Sequence, residues 1–498
     1  MKDKVAVIGA TGYVGTRLVR KLLDDGWTVR ATSRDLNKLR GRHWADHPNV
    51  ELVETNVLDQ GSIEEALQGC KKAYYFVHSM NAQSRNFADD DRTAAENMVK
   101  AADNSTLDQL IYLGGLGEDS PNLSKHLKSR AEVGEILAKS KVPLTTLRAA
   151  MIIGSGSASF EILRYLVERL PVMITPKWVS VPTQPIGIVN VLNYLAGCLN
   201  HPETIGRTFD IGGPDILRYR DLMEIYADVA GLGRRWIIPI PFFTPTLSSY
   251  WIHLVTPVPA YLGRPLAEGL KNPTVCREND IREIIKQDLL TCRSAIRNAL
   301  NKTQNYLVES HWTDAGKIWP VAWSSEADAE WSGGTVYMDR RELILDRTPE
   351  QIWNPLVRLG GSTGYYYGNW LWRLRGVMDK AIGGVGLRRG RRSPSELAAG
   401  DVLDFWRVKR VEKNKSLVLV AEMILPGEAV LEFTIEEISP GKTKLIQTAK
   451  FLPSGLLGLA YWKAVSPLHH FVFNGMISGI AAAAVTKNVE EVEAVLTR

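Results

Sequence analysis

Three glycines near the start of the chain are the first residues whose spacing points to chemistry. Gly9, Gly12 and Gly15 follow a short apolar run, Val5–Ile8, and precede an amphipathic stretch, Thr16–Asp25. Strand, glycine turn and helix in this order are typical of a dinucleotide-binding loop. Gly9 permits the tight turn, Gly12 lets the backbone approach a pyrophosphate, and Gly15 lets the helix pack close to the strand. The N–H groups that open the helix would then bind the anion.

The end of the second predicted strand, Thr28–Thr32, selects the nicotinamide cofactor. A protein that binds NAD(H) usually places a carboxylate there to bond the ribose hydroxyls. Here Ser33 and Arg34 follow the strand, and Lys38 comes one helical turn later. A guanidinium suits a 2′-phosphate, which a carboxylate would repel. Asp35 stands one place beyond and would serve NAD(H), so the sequence favours NADP(H) and leaves NAD(H) open. The alternative is that these are solvated surface charges.

The elements that must position these residues alternate between short apolar strands and helices. The later predicted strands of this part are Val50–Val53, Lys72–Val77, Gln109–Leu113 and Leu144–Arg148. The repeat predicts an α/β fold with a doubly wound parallel sheet. Its ligand cleft should lie beyond the carboxyl ends of the strands.

Residues 1 to about 320 resemble the atypical short-chain dehydrogenase/reductase superfamily, whose fold is an NAD(P)-binding Rossmann sheet. The motifs that carry the resemblance are the GATGYVG loop, Ser33-Arg34, Thr55–Asp59 and Tyr112–Gly117. Within the superfamily the chain is most similar to the branch that contains a complex I accessory subunit and a ubiquinone-biosynthesis protein. Several members of that branch bind NADP(H) without a demonstrated turnover. Asn56 departs from the Asp that the family usually places beside the adenine. The predicted cofactor-binding residues are Gly9, Thr11, Gly12, Tyr13, Val14, Gly15, Ser33, Arg34, Lys38, Asn56, Val57, Val77 and His78.

The resemblance implies catalysis by a Tyr and a Lys four residues apart, with a Ser nearby, but no Tyr in this chain has a Lys at the fourth place. The equivalent helix carries His126 and Arg130, whose spacing puts them on one helical face, and Gly114 and Gly115 replace the Ser. In one interpretation, His126 is a proton donor near neutral pH and Arg130 bonds the ribose or a substrate anion. In the other, the catalytic pair is lost and the cofactor is a sensed or structural ligand. Arg148 would face either the cofactor or a core ion pair.

A proline-rich segment, residues 236–263, carries no Lys, Arg, Asp or Glu. Its five prolines make a lipid-exposed helix improbable. One hypothesis is an apolar wall for a hydrophobic small-molecule substrate. The other is a buried core of the substrate lobe or an interdomain contact.

A second domain is predicted over 331–498, after a dinucleotide-binding domain with its substrate lobe (1–300) and a crossover linker (301–330). Period-two strands are predicted at Val402–Val411, Ser416–Leu425, Ala429–Ile435 and Lys444–Phe451, and helices at Pro349–Leu359 and Leu468–Leu496. This α+β pattern resembles the START-like, helix-grip fold. Together with the reductase-like part it resembles the DUF2867-containing proteins, through Tyr365–Trp370, Leu425–Ala429 and His469–Asn474. Helix-grip domains often hold an apolar ligand, and the resemblance alone suggests one here.

The charge of the chain is concentrated in one segment. Lys and Arg number 60 and Asp and Glu 55, giving a net charge of +5. Residues Arg373–Arg392 contain seven basic residues and one acid, Asp379, close to Trp370 and Trp372. This pattern suits peripheral contact with an anionic membrane, or it is a solvated loop. No recognition module accompanies it, so nucleic acid is not an expected partner.

The overall composition is that of a folded, water-soluble protein, with 45% hydrophobic and 23% charged residues among 498. The four cysteines form no CxxC pair, and no ligand spacing predicts a metal site. Strand-like residues begin at Lys4, and these features together predict a cytoplasmic protein. The sequence does not predict an oligomeric state. We therefore expect either an NADP(H)-dependent reductase of a carbonyl on a hydrophobic small molecule, or a non-catalytic NADP(H) sensor or assembly factor.

Overall fold

The computed structural model describes residues 3–77, 87–116, 125–240, 252–253, 255–256, 258, 260–269, 272–304, 308–315, 336–387 and 391–484. The chain divides into two compact units, Met1–Ala315 and Gly316–Arg498. The predicted linker, 301–330, therefore begins with residues that belong to the first unit.

The first unit is built on short parallel strands that alternate with helices. Its strands are β1 (Lys4–Ile8), β2 (Thr28–Ser33), β3 (Val50–Glu54), β4 (Lys72–Tyr75), β5 (Gln109–Gly115), β6 (Leu144–Ala149), β7 (Ile152–Ile153), β8 (Val172–Pro176), β9 (Pro182–Thr183), β10 (Ile186–Gly187), β11 (Thr208–Ile211), β12 (Leu217–Arg218) and β13 (Trp236–Ile240). Its helices are α1 (Tyr13–Asp24), α2 (Leu36–Arg40), α3 (Gln60–Leu67), α4 (Phe87–Asp103), α5 (Lys125–Leu137), α6 (Ala158–Arg169), α7 (Ile188–Gly197), α8 (Tyr219–Val229), α9 (Ala260–Gly269), α10 (Asp280–Ile284) and α11 (Cys292–Gln304).

Seven of these strands form one parallel sheet, in the order β11-β6-β5-β4-β1-β2-β3. The predicted doubly wound sheet is confirmed. Alternate residues of β1 pack on opposite faces: Val5 and Val7 lie in the core beneath α1 and α7, while Ala6 and Ile8 lie in the core beneath α3, α4 and α5. A sheet covered on both faces requires such an uninterrupted apolar strand. The strand order reverses between β1 and β4, so the crevice for a ligand opens at their carboxyl ends.

The remaining elements of the first unit form a smaller lobe. Three two-stranded sheets join β10 to β7, β12 to β9, and β13 to β8. A separate apolar core packs α6, α8 and α11 together, through residues such as Phe160, Tyr226 and Ile296. The lobe begins after β6, and β11 of the main sheet lies between its strands β10 and β12 in the chain.

The described residues of the second unit form an antiparallel sheet with three helices. Its strands are β14 (Tyr337–Leu345), β15 (Val402–Leu403), β16 (Trp406–Glu412), β17 (Ser416–Ala421), β18 (Gly427–Ser439) and β19 (Lys442–Pro453), and its helices are α12 (Pro349–Leu356), α13 (Asn369–Ala381) and α14 (Gly455–Ala483). The sheet order is β14-β19-β18-β17-β16-β15. Buried side chains of its inner face, such as Leu431 and Phe433, share one core with Phe473 and Met476 of α14. The predicted antiparallel meander is confirmed, whereas the START-like resemblance stays a prediction.

Two elements of the second unit differ from the sequence prediction. The last helix begins at Gly455 rather than at Leu468, and Pro467 lies inside it. Pro467 and Lys463, four residues before it, are both exposed, so water can bond the carbonyl that a proline leaves without its helical partner. Strand β14 was not predicted, because charged residues occupy both of its faces. No helix among the described residues, α14 included, combines the length and apolar character needed to cross a bilayer.

Candidate functional site

The glycine loop between β1 and α1 is shaped by close backbone approaches. Gly9 has a φ of +96°, which favours glycine. A Cβ on Gly15 would lie 2.3 Å from the Gly9 carbonyl oxygen, so no larger residue fits there without a shift. A Cβ on Gly12 would instead meet only that same oxygen, at 3.4 Å, among the described residues. The loop is therefore tight at Gly9 and Gly15 and open at Gly12, as the sequence predicts.

The start of α1 is suited to an anion. Gly12 is the N-cap residue of α1 and makes no side-chain hydrogen bond to the helix. The first turn of α1 contains no acidic residue. The helix dipole and the N–H groups of this turn therefore attract negative charge. An open approach at Gly12 and an uncapped helix start together fit the pyrophosphate of a dinucleotide.

The residues predicted to select the cofactor have different surroundings at the end of β2. Ser33 Oγ lies 3.4 Å from Thr11 Oγ1 and accepts the Asp35 N–H at 3.3 Å. The Asp35 carboxylate accepts the N–H of Asn37 at 2.9 Å and so caps α2. Arg34 is exposed at this position. The carboxylate that would serve NAD(H) thus has a structural role, while the guanidinium is accessible.

Lys38 lies elsewhere than predicted from the helical spacing. Its side chain is buried, and its ammonium donates to the carbonyl oxygen of Asp314 at 2.8 Å. Burial and this bond place the ammonium against the protein interior, so its predicted contact with a 2′-phosphate would require the side chain to move.

A segment that sequence reasoning missed, residues 308–315, lies against the glycine loop; we call it the clasp. Ser310 Oγ donates to the Tyr13 carbonyl at 2.9 Å and accepts from Arg17 Nε at 2.9 Å. Asp314 and Arg42 form an ion pair of 3.0 Å with both side chains buried. The clasp therefore contacts both α1, which follows the loop, and the chain after α2.

Tyr13 and Val14 pack into the protein although both were predicted to contact cofactor. The guanidinium of Arg17 lies 4.6 Å from the Tyr13 ring centroid, and a Cβ on Gly154 would lie 2.4 Å from the Tyr13 hydroxyl. Burial raises the pKa of Tyr13 to about 12. Val14 packs against the core beneath α1 and α7. In the structure these side chains hold the loop in place.

The residues predicted to lie beside the adenine follow β3 and β4, at the same edge of the sheet. Asn56, after β3, is exposed, and its side-chain oxygen accepts the Leu58 N–H at 3.2 Å. Val57 is buried, and Val77, after β4, is half-buried. His78 lies outside the described residues. The described members of this set follow β3 and β4 at their carboxyl ends, where the crevice opens.

One of the two residues predicted for catalysis lies at the end of β5. Arg130, on α5, donates from Nη2 to the Leu113 carbonyl at 2.5 Å, and Tyr112 donates to the Arg130 carbonyl at 3.1 Å. The guanidinium therefore lies directly before Gly114 and Gly115, which offer no hydroxyl. His126 belongs to α5, but its side chain lies outside the described residues.

The sequence leaves Arg148 facing either the cofactor or a core ion pair, and the structure shows the ion pair. Its guanidinium donates from Nε to Asp210 at 2.8 Å, and a second nitrogen lies 2.8 Å from the same carboxylate. Asp210 is buried and also accepts the Arg277 N–H at 2.9 Å. Arg148 is thus part of a core ion pair between β6 and β11.

The described start of the uncharged segment 236–263 presents an exposed apolar face. Trp236 and Ile238 of β13 are exposed, and they pair in register with the exposed Val172 and Ile174 of β8. Residues 241–251 lie outside the described residues. The described start of this segment, β13, is therefore an apolar surface of the small lobe, whereas Ile252 and Val258 farther along it are buried in an apolar cluster.

Two protein families match separate parts of the chain. Residues 9–163 match a family described as NAD(P)H-binding. Residues 331–476 match DUF2867, a family of unknown function. The predicted combination of an NAD(P)-binding Rossmann domain with a C-terminal DUF2867 domain is confirmed.

Curated relatives resemble the first unit. Over 88 residues the chain is 40% identical to a bifunctional dihydroflavonol 4-reductase/flavanone 4-reductase of Pyrus communis, a match that covers 17% of this chain and 25% of that protein. Over 245 residues it is 23% identical to the mitochondrial NADH dehydrogenase (ubiquinone) 1 alpha subcomplex subunit 9 of Arabidopsis thaliana, covering 47% of this chain and 60% of that protein. The predicted resemblance to complex I subunits is confirmed. Because the matches span only these shares, the activities of the whole relatives do not pass to this chain.

Solved structures also resemble the first part of the chain. The Citrobacter sp. triphenylmethane reductase complexed with NADP(H) is 18% identical, with a TM-score of 0.49, over 59% of this chain and 99% of that one. An NADPH-dependent quinone oxidoreductase from Escherichia coli, complexed with NADPH, is 15% identical, with a TM-score of 0.49, over 60% of this chain and 100% of that one.

Proposed function

We propose that this chain, which joins an NAD(P)H-binding Rossmann domain to a DUF2867 domain, is an NADP(H)-dependent oxidoreductase that reduces a carbonyl group on a hydrophobic small molecule. The observation that carries the cofactor choice is the division of roles at the end of β2. Asp35 caps α2 and Arg34 is exposed. A free guanidinium beside the ribose position bonds a 2′-phosphate in a forked geometry, whereas NAD(H) would offer it no anion.

The chain's own residues would hold the cofactor at both ends. The N–H groups at the start of α1, beside Gly12, bind the pyrophosphate, and Ser33 and Arg34 bind the 2′-phosphate. When bound, the reduced nicotinamide supplies the hydride for the reduction. Arg42 contributes less to this selection, because Asp314 already occupies its guanidinium.

Arg130 is the candidate for orienting the reacting partners. One of its nitrogens is fixed on the Leu113 carbonyl, while its Nε is buried and has no hydrogen-bond partner among the described residues. A buried donor held at the carboxyl end of β5 would bond the ribose or an anionic group of the substrate. His126, one turn earlier on α5, would then donate the proton to the carbonyl oxygen.

A hydrophobic substrate is supported by the small lobe. Val172, Ile174, Trp236 and Ile238 form one exposed apolar face on the β8–β13 pair. Contiguous apolar surface of this kind marks a binding site more often than isolated exposed residues do.

Titration of the purified protein with NADPH and NADH tests the cofactor choice. We expect NADPH to bind more tightly, and Arg34→Ala to weaken NADPH binding by about tenfold to a hundredfold while leaving NADH binding unchanged, as expected for the loss of a charged hydrogen bond. Arg40→Ala is the matched control, since Arg40 is also an exposed arginine, at the far end of the short helix α2 that Asp35 caps. Equal affinity of the unmodified protein for both cofactors would contradict the proposal.

A second candidate function is that of a non-catalytic NADP(H) sensor. It is favoured by Gly114 and Gly115 at the end of β5 and by the absence of a Tyr–Lys pair from the sequence. Turnover distinguishes the two candidates. Oxidation of NADPH in the presence of apolar aldehydes, ketones or quinones supports the enzyme if His126→Ala and Arg130→Ala lower the kcat of that reaction. Tight NADPH binding with no oxidation by any of these carbonyl classes supports the sensor.

A further inference from the structure

Helix α13 of the second unit exposes an apolar stripe along its length. Trp370, Leu374, Val377 and Met378 are 65%, 51%, 66% and 56% exposed. Their spacing puts them on one side of the helix, and Ile382, directly after it, continues the stripe. A stripe at helical spacing is normally the buried side of an amphipathic helix. Here it is the side that faces away from the domain.

Neighbouring elements extend this apolar surface. The connection between β17 and β18 reaches α13, because the Ile424 carbonyl accepts from Arg375 at 3.0 Å, and Ile424 is itself exposed. The same connection reaches the start of α14, because the Pro426 carbonyl accepts the Ser454 N–H at 2.9 Å. There Leu456 and Leu457 are 84% and 78% exposed. We call α13, residues 422–426 and the first turn of α14 the apolar surface.

The exposed charges of the apolar surface have one sign, since Glu422 is only half-buried but pairs with Arg407 at 2.6 Å. Asp379, the only acid of α13, is fully buried, where its carboxylate accepts the N–H groups of Gly386 and Ile424 and pairs with Arg375 at 3.9 Å. Arg373 is exposed beside the stripe, and α14 carries Lys463, also exposed, and no acid. Burial of Asp379 and the pairing of Glu422 with Arg407 therefore leave an apolar surface edged by cations.

Fewer exposed cations border the apolar surface than the sequence of the basic segment Arg373–Arg392 suggests. Arg391 donates to the carbonyl oxygens of Val357 and Leu359, and Arg392 pairs with Asp401 at 3.1 Å. Arg388 and Arg389 lie outside the described residues. The two described arginines after α13, Arg391 and Arg392, thus hold the domain together. The exposed cation next to the stripe is Arg373.

We propose that the apolar surface binds the interface of an anionic lipid bilayer. Apolar side chains with a tryptophan enter the boundary between headgroups and acyl chains, and flanking Arg and Lys side chains contact anionic headgroups. A second copy of the chain fits less well, because a two-fold interface would bring this cation-edged surface against itself. A bilayer offers an apolar layer and negative charge together.

Co-sedimentation of the full-length protein with vesicles tests the proposal. We expect binding to vesicles of phosphatidylcholine with about one-third phosphatidylserine, weaker binding to phosphatidylcholine alone, and loss of binding at high salt. Val377→Glu and Leu374→Glu should abolish binding, and Arg373→Ala should weaken it about fivefold, as about 1 kcal/mol per surface cation implies. Met338→Glu is the matched control, because Met338 is 57% exposed on β14, outside this surface.

Two further measurements keep the outcomes distinct. Circular dichroism and NADPH affinity should be the same for all variants, since the altered side chains are exposed and lie in the second unit. Vesicle binding by Val377→Glu equal to that of the unmodified protein would overturn the proposal. So would an unmodified protein that ignores vesicles and forms a dimer that Val377→Glu dissociates, because the surface would then join two copies.

Discussion

The carboxylate of Asp314 lies 3.0 Å from the guanidinium of Arg42, across 272 residues of chain, and both side chains are almost completely buried. The same carboxylate accepts the His311 N–H at 2.9 Å, and Arg42 also donates to the Thr11 carbonyl at 3.4 Å. The pair thus connects the last described residues of the first unit to the glycine loop. Breaking a buried pair leaves one charge without compensation in a poorly solvated place.

Asp314→Ala should therefore lower the free energy of unfolding of the first unit by about 3 kcal/mol or more. Denaturant unfolding measures this, and Asp228→Ala is the control, because Asp228 pairs with Arg293 where both side chains are exposed. Loss of an exposed pair should cost at most about 1 kcal/mol. Equal effects of the two substitutions would show that the clasp adds no stability.

Gly15→Ala should weaken NADPH binding by about tenfold or more. The added Cβ would lie 2.3 Å from the Gly9 carbonyl oxygen, and relieving an overpacked contact costs about 1–3 kcal/mol. The loop must then move away from the position that binds pyrophosphate. Gly233→Ala is the matched control, since no atom of the described residues around it lies within 4 Å of its added Cβ. Isothermal titration of both variants measures the difference, and unchanged affinity in Gly15→Ala would contradict the assigned role of the loop.

Lys38→Met should leave the preference for NADPH over NADH unchanged. Its ammonium bonds the Asp314 carbonyl, and Met keeps most of the side-chain volume while removing the charge. We expect a loss of about 1–3 kcal/mol in unfolding free energy, because a buried carbonyl loses a charged donor. Affinity for each cofactor is the measurement. A selective loss of NADPH binding would show instead that Lys38 turns toward the 2′-phosphate, as its spacing from Arg34 predicts.

The stability of the second unit should fall as the pH drops from about 6.5 to 4. Burial lowers the pKa of His469 to about 4, where its ring contacts those of Trp462 and Phe473. The unfolded chain binds a proton throughout this window while the folded chain does not, so acid favours unfolding. The effect of this group should reach about 2–3 kcal/mol at the lower end.

His469→Phe should flatten that pH dependence between pH 4 and 6.5. Urea unfolding at several pH values, followed by tryptophan fluorescence, provides the comparison. His470→Phe serves as the control, because His470 is exposed on the same helix. A pH dependence that persists unchanged in His469→Phe would assign it to another group.

The predictable parts of this protein are those with local signatures. The glycine spacing and the alternation of apolar strands with helices are short-range patterns, and they predicted the parallel sheet and the shape of the loop. The clasp has no such pattern, since Ser310 and Asp314 acquire their roles only from partners far away in the chain. Lys38 was misplaced for the same reason: spacing along α2 does not show that a carbonyl from residue 314 lies nearby. Strand β14 was missed because Arg341 and Asp339 point inward, which breaks the expected apolar alternation.

The pairing of β14 with β19 also sets the order of events during synthesis. Among the described strands of the second unit, β14 leaves the ribosome first, yet its antiparallel partner β19 leaves last. The edge of β14 that pairs with β19 stays open until β19 has been translated, by which time the first unit can already have folded. The charged run Asp339–Glu342 makes this waiting strand a poor template for neighbouring nascent chains. The charges that break the apolar alternation of β14 therefore also disfavour its pairing with another chain during synthesis.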